Sequence, residues 1–489
     1  MSRSFFAFLL LAALCHAAAG KTYYVDSASG NDRNNGLSEA KAWKTLDKVN
    51  AASFVPGDKI LFRAGAKFTG QLKPRGSGTE AAPIVVDRYG AGARPLIAAA
   101  GKFHEALLLQ NQDFWEVNNL ELTNLGPARE TFRYGARVRA WDYGVMRHIH
   151  LKNLYVHDVN GSLIKADAGE GHGIVWENGG DAKKSYFDGL LIEGCHLVRT
   201  DRNGICGYVP YKSPNRDALS VNVVIRKNLL EDIGGDAIKV WGCNRAVVEH
   251  NIVRGARTRC EDYAAGVWPW DSVDTLIQFN EVSGLKGMKD GEAFDSDAYT
   301  SGTTFQYNYT HDNDGGFLLM CCSNNTGTIV RYNVSENDRA RLFHMADGNV
   351  DLKIHNNVFY IGRGLDVALF LWTGHGEEWT RNVHIYNNIF YADGTARNAT
   401  GTGKKPGAAD DGTFLEKPGF GGARDIVFEK NILYGNFKDI PEEWRKMMAD
   451  PGFVAPGTGP KGYKLRPDAP RTEAGIPADA PAIGAALLP

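Results

Sequence analysis

The chain has 489 residues, with 55 Lys and Arg against 57 Asp and Glu and a formal charge of −2. That balance leaves no basic excess for a phosphate backbone, which argues against a nucleic-acid partner. The length suits one large domain or two ordinary ones, and 56 glycines with frequent Asn point to many tight turns.

Arg3, the apolar run from Phe5 to Leu14 and the small cluster Ala17-Ala18-Ala19 before Lys21 predict a cleaved secretory leader over residues 1–20. Leu14 stands where a lipoprotein leader would need a small residue before Cys15, so soluble export, secreted or periplasmic, is expected. Later segments are not long and apolar enough to insert into a bilayer as helices. Cys195, Cys206, Cys243, Cys260, Cys321 and Cys322 remain after the leader, without a CxxC metal spacing. Export permits disulfides, and the pairing is open between buried thiols and one or two bridges.

Residues 21–105 are expected to form an N-terminal cap and the first coils, with a short helix over 43–52, a turn at Pro56-Gly57-Asp58 and an alternating strand over 59–63. Over 106–440 a unit of alternating apolar residues followed by Asn repeats, as at Asn228, Asn251, Asn280, Asn308 and Asn333. Later copies end at Asn357, Asn388 and Asn431, and earlier ones at Asn119 and Asn153. Intervals of roughly 23 to 43 residues are those of a solenoid with loops inserted in some turns. Asparagine tolerates the left-handed backbone of a sharp corner, and stacked amides can bond from coil to coil. The Pro- and Ala-rich residues 441–489 are expected to pack on the solenoid as a tail.

The Tyr24-Val25 to Asp32 opening, the Pro56-Gly57-Asp58 strand and the Asn-punctuated coils resemble the pectate-lyase-like superfamily. The resemblance implies an all-β, right-handed parallel β-helix, and an exported enzyme acting on a polysaccharide or complex glycan as a lyase or glycoside hydrolase. The fold itself does not choose the bond.

Stacking the coils in register predicts an inner column of Ile174, Ile205, Ile238, Val267, Phe294, Phe317 and Leu342. One outer column then reads Val175, Cys206, Lys239, Trp268, Asp295, Leu318, Phe343, and a second Glu177, Tyr208, Trp241, Trp270, Asp297, Met320, Met345. Neighbouring coils lie about 4.8 Å apart, so indoles and acids from distant segments converge on one face. Tryptophan faces suit sugar rings, and Lys239, Trp241, Trp268, Trp270, Tyr208, Glu177 and Arg341 are the candidate substrate-binding residues. Asp295 and Asp297, about 6.5 to 7 Å apart along a strand, are the first candidate for a glycosidase acid pair, with Glu292, Asp271 and His311 assisting. His344 falls in the inward column by this register, and Trp372 is a candidate to close one end of the groove.

Lys239 supports a second reading, a lyase that removes the proton next to a uronate carboxylate. A third is a glycan-binding solenoid without catalysis. No cofactor is required by the first reading, although Asp290, Glu292, Asp295 and Asp297 with Asp312 or Asp314 also suit calcium. A monomer is expected.

Overall fold

The computed structural model describes residues 20–469 apart from 166–168, 323, 347, 375–379, 399–400, 404–415 and 418–423, together with 473–477, 481, 483 and 484. All but the last position of the predicted leader lies outside the described residues.

Between Thr22–Val25 and Ile432–Lys438 the chain winds as a parallel β-helix. Strands of successive coils pair in parallel, and the antiparallel pair of Gly401–Gly403 with Glu416–Lys417 is a local feature. The physical reason lies in period-two alternation: Ile225, Val248, Ile277, Phe305, Val330, Ile354 and Ile385 stand in register and are fully buried. Their outward neighbours Glu249, Gln278, Gln306 and Arg331 bond along the axis at 2.8 to 2.9 Å. The predicted helix occupies Leu46–Ala51, capped by the Thr45 hydroxyl, and its Leu46 and Val49 enter the core of the first coils.

The Asn ladder runs from Asn228 through Asn251, Asn280, Asn308, Asn333, Asn357 and Asn388 to Asn431. Each amide oxygen accepts from both the side-chain and the backbone N–H of the preceding rung, as Asn333 does from Asn308 at 3.0 and 3.0 Å. The reason given above for Asn at this place needs correction. The left-handed residue is the one before the ladder, for example His250 (φ 55°), Phe279 (φ 54°) and Tyr307 (φ 55°). Asn119 and Asn153 occupy that left-handed position themselves, so they are not rungs. Leu120, Leu154 and Cys195 take the ladder position in those coils, and the Cys195 N–H donates to Asn228 Oδ1 at 2.9 Å.

Past the last coil the chain doubles back along the solenoid. Phe453, Tyr463 and Ala474 pack on Val334, Val358, Tyr360 and Ile389, and the Tyr463 hydroxyl donates to Glu336 at 2.7 Å. Cys321 and Cys322 form a disulfide between adjacent residues, while Cys195, Cys206, Cys243 and Cys260 are buried thiols.

Candidate functional site

One face of the helix is built by strands β1 (His172–Gly179), β2 (Asn203–Tyr208), β3 (Ile238–Trp241), β4 (Val267–Trp270), β5 (Glu292–Ser296), β6 (Gly316–Met320) and β7 (Arg341–Ala346). Ile174, Ile205, Ile238, Val267 and Phe294 form the inward column in that order. Lys239 therefore stands beside Trp268, and Trp241 beside Trp270. The Asp297 N–H donates to the Pro269 carbonyl at 3.2 Å, which sets Asp297 level with Trp270.

Beyond β5 the expected phase slips by one residue. Phe294 pairs with Leu318 and Leu318 with Phe343, in place of Phe317 and Leu342. All four of Phe317, Leu318, Leu342 and Phe343 are fully buried, because two consecutive side chains point inward where each strand leaves its corner. Strict alternation fails at such a corner, and Gly-Phe-Leu-Leu-Met contains no polar residue to fix the phase. Met320 and Met345 accordingly belong to the core, while Leu319 and His344 take the outer position. His344 is thus not inward: its Nε2 lies 2.9 Å from Thr373 Oγ1, and its Nδ1 lies 3.7 Å from Glu292 Oε1.

The indoles floor a pocket of about 650 Å³. Lys239, Trp241, Trp268 and Trp270 form its base, Tyr208 and Glu177 extend it toward β1, and the loop carrying Lys165 and Glu170 overhangs it. The face is recessed by that loop rather than open: Lys239 is 4% exposed and Trp268 3%. Lys239 Nζ lies 3.4 Å from Glu170 Oε1 and 5.3 and 5.5 Å from the rings of Trp241 and Trp268. Although burial opposes it, Cys206 and the carboxylates of Glu170 and Asp236 hold the Lys239 ammonium well above its usual range. Asp236 also accepts the Trp268 indole N–H at 3.0 Å, fixing that ring. The indole N–H groups of Trp241 and Trp270 are buried and find no acceptor among the described residues.

Four carboxyl groups gather at the end of this floor. Burial and the charge of Glu292 push Asp290 up to about 7. Burial raises Asp297 to about 6, although Lys165 and Lys239 draw it down. Asp295 is driven well above the usual range by burial and by Asp297, Asp290 and Glu292 around it, and its Oδ1 has no donor among the described residues. Glu292 is the exception: burial raises it, but Arg341, with Nη2 at 2.6 Å, and His344 more than offset that and keep it ionised. Asp290 is the most open of the four, being partly exposed, whereas Glu292, Asp295 and Asp297 are buried.

The cluster has a consequence for stability. The raised carboxyls bind protons in the native state between the usual 3.8 and their own values. The unfolded chain has already released them, so stability from this cluster falls as pH rises through that window. Asp295→Asn removes the one that faces the other three. Its Tm is expected to exceed that of the wild type at alkaline pH and to match it at acid pH, read by thermal scans across pH.

Several expected site residues lie elsewhere. Asp271 accepts the Asn215 N–H at 2.9 Å and pairs with Arg216 at 2.7 Å, anchoring a loop. His311 sits on another face, stacked on Tyr309 with Asp312 at 2.9 Å; burial lowers it, but Glu281 and Asp312 raise it to about 9. Arg341 reaches Glu292 rather than the pocket lining. Glu177 lines the pocket but is held by Arg137 and, at 3.1 Å, by Arg139. Trp372 is a core residue stacked on Phe370 and closes nothing. For a calcium cage, Asp314 is already bonded to Arg339 and Asp312 to His311.

Sequence reasoning missed Lys165, Glu170 and fully buried Arg202, which ties Glu170 at 3.3 Å to Asp262 at 2.7 Å. The Gly-Glu-Gly-His run at 169–172 offered a loop signal, but not the path that swings Glu170 over Lys239.

The fold and site define a parallel β-helix with an indole-floored pocket and, one coil beyond its lining, a cluster of four carboxyls. No family model matches the chain. A lacto-N-biosidase of Bifidobacterium longum subsp. longum is 31% identical over 441 residues, taking in 70% of this chain and 27% of the relative. The chain thus spans about a quarter of that relative's length. The crystal structure of the GH136 lacto-N-biosidase from Eubacterium ramulus superposes with a TM-score of 0.65 at 27% identity, covering 84% of this chain and 68% of that one. A mannuronic acid specific polysaccharide family 6 lyase from human gut microbiota gives 0.53 at 14% identity, over 82% of this chain and 87% of its own, a likeness of fold.

Proposed function

We propose that this chain is an exported glycoside hydrolase that removes lacto-N-biose or a closely related disaccharide from a glycan. The observation that carries this reading is the cluster of raised carboxyls at the end of an indole-floored pocket, in a chain similar to two lacto-N-biosidases. Export draws support from the leader pattern and from the Cys321–Cys322 disulfide, which needs an oxidising compartment.

Hydrolysis needs one carboxyl that donates a proton and one that is ionised, and a group that cycles between both states works best near the operating pH. Asp290 and Asp297 satisfy this, with Asp290 protonating the departing oxygen and Asp297 supplying the carboxylate that stabilises the oxocarbenium-like centre. Asp295 is raised by burial and by Asp297, Asp290 and Glu292 around it, and we assign it as a neutral neighbour rather than as half of the pair. Glu292, locked by Arg341, sets the negative field that keeps Asp290 protonated. The expected rate profile rises through about pH 6 as Asp297 ionises and falls above about pH 7 as Asp290 loses its proton. A plateau reaching well into alkaline pH would contradict these roles.

Elimination is disfavoured because its base would be Lys239, which Glu170 and Asp236 keep protonated. Lys239 and the indoles instead suit the hydroxyls and C–H face of sugar rings. Trp241→Ala is expected to raise KM about tenfold with a smaller change in kcat. The reading is tested by incubating purified protein with a glycan panel and recording both new reducing ends and ultraviolet absorbance. New reducing ends without absorbance support hydrolysis. Absorbance supports elimination, and binding without product supports a non-catalytic solenoid.

A further inference from the structure

The row that carries Tyr208, Trp241, Trp270 and Asp297 does not stop at the acid. The Cys321 N–H donates to the Ser296 carbonyl at 3.0 Å, so Cys321 is the next step of the row after Asp297. A carboxylate oxygen of Asp297 and the two sulfurs of Cys321 and Cys322 all lie within 4.8 Å of one another. Cys322 adopts φ 69°, which turns the chain away from the strand at this point, and both residues are partly exposed. The disulfide therefore lies one coil beyond the carboxylate, on the side opposite the tryptophans. The pocket lining ends with Trp268 and Trp270, so the disulfide stands outside the enclosed part.

We propose that the Cys321–Cys322 disulfide is the floor of the subsite for the departing sugar, a neutral pyranose whose C–H face rests on the paired sulfurs. This inference rests on the hydrolase reading. The enclosed indole pocket holds the disaccharide that is released, so the glycosidic oxygen lies at Asp290 and Asp297 and the next ring extends over the disulfide. Two bonded sulfurs with adjacent backbones form a compact, polarisable, non-ionisable surface that sugar C–H groups can cover without stranding a donor. A pair of free thiols at the same place lacks the bond that keeps the sulfurs together, and the surface loses its fixed shape.

The experiment compares two substrates: a lacto-N-biosyl fluoride, whose leaving group is a single atom, and an oligosaccharide carrying lacto-N-biose on lactose. The chain with Cys321→Ser and Cys322→Ser is measured beside the wild type, with Tm as the folding control. The same comparison is made on folded wild type before and after a water-soluble phosphine. The free cysteines among the described residues are buried, so thiol titration after mild reduction reports Cys321 and Cys322. The expected result is a shift of about tenfold in the ratio of kcat/KM for the two substrates, the oligosaccharide losing most, in both the double variant and the reduced protein, with reoxidation restoring the wild-type ratio. An unchanged ratio in active protein overturns this subsite and leaves the hydrolase reading standing. A wild type inactive on both substrates overturns the hydrolase reading, and the subsite falls with it. If the double variant does not fold, the reduced wild type decides.

Discussion

Asp297→Asn is expected to lower kcat/KM by about a thousandfold, and Asp290→Asn by a comparable factor, each measured on a glycan ending in lacto-N-biose. The two act at different points, since one variant lacks the carboxylate under the sugar and the other lacks the proton for the departing oxygen. Neither change removes core packing. Both relieve repulsion within a cluster of four acids, so Tm is expected to stay level or rise. Asp295→Asn is the discriminating member of the series. Burial and three acidic neighbours favour its neutral form, to which the amide is close to isosteric and isoelectronic, so activity should stay within about tenfold of the wild type. A loss at Asp295 as large as that at Asp297, with Asp290→Asn active, would restore the strand-neighbour pair Asp295 and Asp297 as the acid and base.

The second large effect falls on stability. Asn308 is fully buried; its amide nitrogen donates to Ile277 O and Asn333 Oδ1 at 2.9 and 3.0 Å, and its oxygen accepts from Asn280. Asn308→Ala opens a gap in the ladder: the Asn280 backbone N–H loses its acceptor, the Asn280 side-chain nitrogen loses one of three, and Ile277 O and Asn333 Oδ1 each lose a donor. Several unsatisfied buried groups at about 1–3 kcal/mol each predict a loss of about 3–5 kcal/mol, read by chemical unfolding. Asn431→Ala, at the last rung, strands fewer groups because its amide nitrogen donates to Ile385 O alone, with no further rung to hold, and it should cost less. Equal costs at both positions would mean that the rungs act independently.

The fold was legible because a parallel solenoid repeats one physical problem in every coil. Inward Ile and Val, outward polar residues and an Asn at the same corner recur often enough to reveal the period. The register held from Ile174 to Phe294 because polar and apolar residues alternate there. It failed at Phe317 because a corner buries two successive side chains and an all-apolar strand offers no contrast.

The site was legible where it lies on strands. Lys239, Trp241, Trp268, Trp270, Tyr208 and Glu177 line the pocket because their column positions follow from the ladder. Asp271 was misplaced because it stands just past a strand end, where the chain turns, and His311 because it closes a strand of another face. Lys165 and Glu170 were invisible because they belong to a long inserted loop, and nothing in a repeat says where an insertion lands. Asp290 was seen only as a metal ligand. Its raised carboxyl depends on burial and on the charge of Glu292, whose own partner Arg341 lies 49 residues further along the chain.

Incubation of the wild type with a lacto-N-biose-terminated glycan in heavy-oxygen water, followed by mass spectrometry, tests the central claim most directly. Hydrolysis by Asp290 and Asp297 predicts a released disaccharide carrying one heavy oxygen at its new reducing end. A product without the label and with an unsaturated ring, or intact glycan after prolonged incubation, would contradict it.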